Sequence, residues 1–133
     1  MACPPHKTIL DLFEEHVKES ANQTAVVYEG ARLTYQELSA RATRLAHHLR
    51  ALSIGPEQVV GLCVERSLEM VVGVLGILKS GAAYLPLDPQ YPKERLAFMM
   101  EDARAPVMLT QQRLLDALPE SGAKIVCLDS DWE

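Results

Sequence analysis

The sequence predicts an α/β fold: an N-terminal helix and short β-hairpin, followed by a doubly wound, mainly parallel sheet with helices on both faces. Three observations carry this expectation. From Gln58 onward, strand-length apolar runs alternate with helical patterns in the order strand, helix, strand, helix, strand, helix, strand. The connections are a few residues long, so each return is a right-handed crossover to a parallel neighbour. The helix expected from about Leu68 to Lys79 is apolar all round, as a helix packed deep in a larger structure is. With 133 residues, 48% of them hydrophobic, the chain can fill one core, and no repeat, low-complexity tract or linker divides it.

The elements follow in order. Ile9, Leu12, Phe13 and Val17 recur at helical spacing between Thr8 and Ser20, with Thr8 and Asp11 placed to cap the start. Thr24 to Tyr28 is β-branched and aromatic, and Glu29-Gly30 separates it from Ala31 to Thr34, which predicts a hairpin. Thr34-Tyr35-Gln36-Glu37 is a capping box, in which hydroxyl and carboxylate each satisfy an orphan backbone N–H. The helix it opens keeps Leu38, Ala42, Leu45, Leu49 and Leu52 on one face and is expected to stop at Gly55-Pro56. Gln58 to Val64 predicts a buried strand, Ser67 an N-cap, and Gly81 the end of the apolar helix. Ala82 to Leu87 reads as a second buried strand, Pro92 to Ala103 as a helix, and Pro106 to Leu109 as a third strand. Gln111 to Leu118 and Lys124 to Leu128 repeat the helix and strand pattern.

Composition excludes several function classes. The 13 basic and 18 acidic residues give a formal charge of -5 with no basic block, which excludes nucleic acid as the main partner. The longest apolar run, Met70 to Leu78, is far shorter than the roughly 18 residues of a membrane span, and the N-terminus lacks a secretory pattern. A cytoplasmic protein without membrane partners is expected. Cys3, Cys63 and Cys127 fit neither a disulfide framework nor a zinc ribbon, and the latter two are expected to be buried thiols.

The chemistry-bearing candidates mostly dissolve. Gly73 to Ser80 resembles a phosphate loop, but Leu78 stands where that loop needs a glycine, and the segment lies within an apolar helical run. Replacing Lys79 by Ala is therefore expected to have little effect on folding, whereas Asp at Val72 or Leu75 is expected to destabilise the fold severely. No Gly-x-Gly-x-x-Gly sequence is present. His47 and His48, adjacent on a helix, diverge by about 100° and suit a solvated face better than a metal. Glu14-Glu15 and the pair Asp129 and Asp131 read as surface acids. No catalytic, cofactor-binding or metal-binding residue is assigned from spacing alone.

Two stretches are more specific. Leu33-Thr34-Tyr35-Gln36-Glu37-Leu38 resembles the first core motif of the adenylation domains of nonribosomal peptide synthetases. The run from Leu78, Lys79, Ser80 and Gly81 through Tyr84, Pro86 and Asp88 to Pro89 resembles the second, with Ser80 where that family usually has Ala. Val64 to Met70 and Asp88 to Leu96 are similar to the same family. The resemblance spans about Ile9 to Thr110 and implies that residues 1–133 are the N-terminal portion of an amino-acid-adenylating, AMP-binding domain, cut before its phosphate-binding loop. It implies a parent that joins an amino acid to ATP, with magnesium, as aminoacyl-AMP, and loads it onto the phosphopantetheine thiol of a carrier protein. The remaining adenylation domain, carrier and condensation domains are then its partners. The motif residues read as architectural, and the chain alone is expected to be inactive and to self-associate through its uncovered surface. The alternatives are one chain of a split enzyme working in trans, or a non-catalytic interaction module derived from such a domain.

Overall fold

The computed structural model describes residues 9–28, 30–65, 67–119 and 122–129. Helix α1 (Ile9–Ser20) leads into a hairpin of β1 (Thr24–Tyr28) and β2 (Ala31–Thr34), antiparallel with Val27 opposite Arg32 and Tyr28 opposite Ala31. Helix α2 (Tyr35–Ala51) follows without a break because Thr34 is both the last strand residue and the N-cap. The capping box forms as its spacing requires: Glu37 N–H donates to Thr34 Oγ1 at 3.1 Å, and Thr34 N–H donates to Glu37 Oε1 at 2.9 Å. Hydrogen bonding to the Thr34 backbone N–H first, and then to the Thr34 side chain, holds the exposed Glu37 carboxyl below its ordinary pKa.

The remaining elements are β3 (Val59–Cys63), α3 (Leu68–Lys79), β4 (Ala83–Pro86), α4 (Lys93–Ala103), β5 (Val107–Thr110), a 3-10 turn (Gln112–Ala117) and β6 (Lys124–Cys127). The four strands are all parallel in the order β4-β3-β5-β6. Because β4 and β5 lie on opposite sides of β3, right-handed crossovers put α3 on one face and α4 on the other, as a doubly wound sheet demands. The strand residues divide accordingly. Val60, Leu62, Val107, Leu109 and Val126 join α2 and α3 in the larger core, while Cys63, Met108 and the α4 residues Leu96 and Met100 form the smaller one. Gly61 faces Met100, whose sulfur lies 2.5 Å from where a Cβ would be.

Helix α3 binds the two halves together. Ser67 caps it, accepting from Met70 N–H at 3.3 Å, and Gly81 at φ +95° turns the chain out of it. Its glycines permit close approach: a Cβ on Gly73 would meet Leu62 of β3, and one on Gly76 would meet Leu45 of α2. The lookalike phosphate loop is thus the packed interior of a helix. No described helix is long and apolar enough to cross a membrane.

Three expectations change. The α2 stop lies before Gly55: Ser53 takes the left-handed conformation at φ 69°, its N–H bonding Arg50 O while Ile54 N–H bonds Leu49 O. This is a Schellman closure with serine in the glycine position, secured by buried Leu49 and Ile54. Leu52, the C-cap, is half-buried and packs against the larger core with the apolar face of α2, as its spacing predicts. The strand at Ala82 to Leu87 is largely exposed, because β4 is the sheet edge and lacks an outer neighbour. Gln111 to Leu118 forms only a short 3-10 turn, Gln112–Ala117. Cys63 and Cys127 are buried free thiols, as expected. Readings on Cys3, Thr8, Glu29, Arg66 and Asp131 lie outside the described residues.

Candidate functional site

In doubly wound sheets ligands gather outside the carboxyl ends of the strands where the strand order reverses. Here that point lies between β3 and β5, and it is the most polar part of the interior. Thr110, fully buried, donates its hydroxyl to Cys63 O at 2.7 Å. Gln111, also buried, accepts the Glu65 N–H on Oε1 at 2.9 Å and reaches Ser67 Oγ with Nε2 at 3.5 Å. Ser67 in turn donates to Glu65 O at 2.8 Å, and Arg113 pairs with Glu65 at 2.7 Å on the rim. These groups are committed to one another, so their combined effect is to fix the β3–α3 loop onto β5.

Beside this cluster, a groove of about 880 Å³ opens at the carboxyl ends of β3 and β4. Leu62, Met70, Val74, Tyr84, Pro86 and Leu114 give it an apolar lining, with Glu65 and Asp88 at its polar margin. The turn from β4 to α4 is shaped by Asp88, whose Oδ1 accepts Gln90 N–H at 2.9 Å and whose carbonyl accepts Tyr91 N–H at 3.0 Å. Tyr91 then carries the Arg95 guanidinium 4.2 Å from its ring centre. Burial, with a smaller contribution from the Asp88 charge, pushes the Cys63 thiol up to about 11, which makes it a poor nucleophile. Among the described residues no group of three or more His, Cys, Asp and Glu is arranged to hold a metal.

The motif residues fall into two places. Leu33 and Leu38 are buried in the larger core, Thr34 and Glu37 form the α2 cap, and the Tyr35 ring stacks on His16 at 5.5 Å and tilts against Phe13 at 6.1 Å. In the second motif, Leu78 is half-buried and Gly81 packs against Pro56, while Tyr84, Pro86 and Pro89 lie along the groove with Asp88. Ser80 is buried and donates its hydroxyl to Ile77 O at 2.6 Å.

Lys79 departs from expectation. Its side chain is only 14% exposed, pairs with Glu14 of α1 at 2.6 Å, and donates to Thr43 and Ser39 of α2 at 3.0 and 3.4 Å. Its carbonyl accepts from Arg50 at 2.7 Å, closing the end of α3. Lys79 therefore ties three helices, and Glu14 is a structural partner instead of a loose surface acid. His47 is exposed and His48 half-buried on α2, and Asp129 accepts the Gln112 N–H at 3.0 Å. Sequence reasoning missed Thr110 and Gln111, although two polar residues ending an apolar strand at the carboxyl edge are a readable signal.

A family model described as AMP-binding enzyme matches residues 13–133. The chain is 56% identical over 116 residues to one of the linear gramicidin synthase proteins of Brevibacillus parabrevis, covering 87% of this chain and 2% of that protein. It is 49% identical over 131 residues to another protein of the same synthase, covering 98% of this chain and 2% of that protein. A crystal structure of the nonribosomal peptide synthetase FmoA3 in an AMPPNP-bound form matches with TM-score 0.92 and 37% identity over 99% of this chain and 14% of that one. The chain thus spans a small part of each protein it resembles. It belongs to the AMP-binding enzyme family, in which it corresponds to an N-terminal stretch of an adenylation domain of the nonribosomal peptide synthetase type.

Proposed function

We propose that this chain is scaffold for an amino-acid-activating enzyme: it forms part of a domain that converts an amino acid and ATP to aminoacyl-AMP and pyrophosphate. Magnesium assists that step, and the aminoacyl group passes to a phosphopantetheine thiol on a carrier protein in cytoplasmic antibiotic synthesis. The observation that carries the reading is the 49% identity to a linear gramicidin synthase protein over 98% of the chain. The rest of the adenylation domain, together with carrier and condensation domains, supplies its partners.

Within this function the 133 residues have an architectural part. Phosphoryl transfer needs cations and backbone donors aimed at the developing charge. The polar groups at the switch point are spent on each other, Lys79 is spent on Glu14, and the sequence contains no Ser/Thr/Gly-rich loop ending in Pro-Lys-Gly. Lys79 of the second motif bonds Ser39 and Thr43 of α2, the helix that the first motif opens.

The test is a graft. The chain alone, given ATP, magnesium and each amino acid, should give no amino-acid-dependent pyrophosphate exchange. A chimera in which it replaces the matching stretch of an adenylation domain in the 56%-identical linear gramicidin synthase protein should exchange with that domain's own amino acid. A chimera that folds but does not exchange sinks the reading, and exchange by the chain alone relocates the active site into it.

A further inference from the structure

We infer that α1 is a strap: it is hinged on the start of α2, clasped onto α2 and α3 by Tyr35 and Lys79, and opens while the rest of the chain stays folded. The inference concerns the fold's own mobility and stands independently of the functional reading above.

The hinge is made of backbone. Ser20 O accepts Gln23 N–H at 2.9 Å where α1 ends, and Tyr35 N–H and Gln36 N–H then bond Gln23 O and Ala21 O, each at 3.0 Å. The turn that leaves α1 is thus fixed to the first residues of α2. The body of α1 is held by side chains instead. Glu14 meets Lys79 Nζ at 2.6 Å, the His16 ring stacks on Tyr35 at 5.5 Å, Phe13 tilts against Tyr35 at 6.1 Å, and Leu10 and Phe13 lie against the larger core.

These attachments are light. Among the described residues α1 buries no side chain fully, whereas α2, α3 and α4 each do. Glu14 is 41% exposed, so water and salt reach the ion pair from its side. At 12 residues α1 sits at the lower bound of the about 12–15 below which an isolated helix is marginal in water, so its helicity depends on its docking. Losing the clasp therefore lifts α1 and melts it. The α2–α3 contact does not share this weakness, because Leu45 packs into the space over Gly76 and Arg50 holds the Lys79 carbonyl without help from α1. A segment with few buried contacts, set on a well-packed remainder, is the kind that opens locally.

Release also changes the surface. Of its described partners, Lys79 then keeps the neutral hydroxyls of Ser39 and Thr43, a setting in which the ammonium turns to water. The open strap uncovers a cation beside the apolar ground vacated by Leu10 and Phe13. Tyr35 of the first motif and Lys79 of the second are the two catches of the strap.

Amide hydrogen exchange of the whole chain, followed by NMR, tests this. In about 0.05 M salt the amides of Val17 and Lys18 in α1 should be protected at least about tenfold less than those of Val72 and Leu75 in α3. Glu14→Gln keeps the side-chain shape and removes its charge; it should accelerate the α1 amides at least about threefold and leave the α3 amides within about 1.5-fold of the parent. Raising salt to about 1 M should accelerate the α1 amides more in the parent than in the Glu14→Gln chain, where the screened pair is already gone. Acylation of Lys79 by a small amine-reactive reagent should rise in the same variant, with exposed Lys93 as the unchanged reference. Equal protection of α1 and α3, or an equal response of both helices to Glu14→Gln, means that the chain opens as one unit and overturns the strap. Weak protection of α1 that ignores both Glu14→Gln and salt removes the Lys79 clasp and overturns the proposal as well.

Discussion

Replacing Gly76 by Ala pits helix propensity against packing, and the structure decides which wins. In the middle of a helix the added methyl is worth about 0.5–1 kcal/mol, because alanine loses less backbone freedom than glycine. At this position the new Cβ would lie 2.5, 2.7 and 2.9 Å from Cδ2, Cγ and Cβ of Leu45. Carbon atoms rest at about 3.5–4.0 Å, so the shortfall is near 1 Å. Leu45 is fully buried, and its Cβ is fixed to the α2 backbone, so a rotamer change cannot relieve the third contact. The helices must part, at a cost of about 1–3 kcal/mol for overpacking. The net expectation is destabilisation by about 1–2 kcal/mol. Urea unfolding followed by circular dichroism should show a lower midpoint with an unchanged slope. Gly55→Ala is the reference: no atom lies within 4 Å of its Cβ position, and its stability should change by less than about 0.5 kcal/mol. In a Leu45→Ala background two of the three close atoms are gone, so Gly76→Ala should cost at least about 0.5 kcal/mol less than in the parent. A Gly76→Ala chain as stable as the parent would refute the described α2–α3 packing.

Two further substitutions test features that sequence reading misjudged. Lys79→Ala should cost about 1–2 kcal/mol by urea unfolding, more than an exposed ion pair and less than a fully buried one, since Glu14 retains 41% exposure; a change below about 0.3 kcal/mol would restore the view that Lys79 is dispensable. Ser53→Gly should raise stability by roughly 1 kcal/mol, because it relieves a left-handed backbone at φ 69° while keeping the Ile54–Leu49 closure, and a loss of stability would count against that closure.

What the sequence made legible was local. The capping box at Thr34 and Glu37, the Ser67 cap and the Gly81 turn involve partners three residues away or less, and each formed as its spacing implied. The alternation of strands and helices predicted both the parallel sheet and its two-sided cover, since crossover handedness leaves little choice. The failures share a cause. Lys79 meets Glu14, Ser39 and Thr43 only after α1, α2 and α3 assemble, and nothing in its immediate neighbours marks that encounter. β4 was legible as a strand but not as an edge, because an apolar run states that a cover is needed without saying which segment provides it.

The same distinction governs the candidate site. The two motif segments stand about forty positions apart, yet Lys79 of the second donates to side chains of α2, the helix that the first motif opens. Arg50, near the end of that helix, holds the Lys79 carbonyl. The end of α3 is thus bonded to the helix that the first motif opens. The chemistry an AMP-binding enzyme needs is of another kind, requiring donors and cations left free to face a phosphate. At the switch point the opposite holds: Thr110, Gln111 and Ser67 bond to the β3 end and its loop, which makes the sheet's carboxyl edge stiff. A stiff edge is a useful neighbour for a reaction that depends on positioning, because groups mounted against it keep their geometry while charge develops. The part these residues play in the described structure is the stiffness of that edge, with their polar groups bonded to one another.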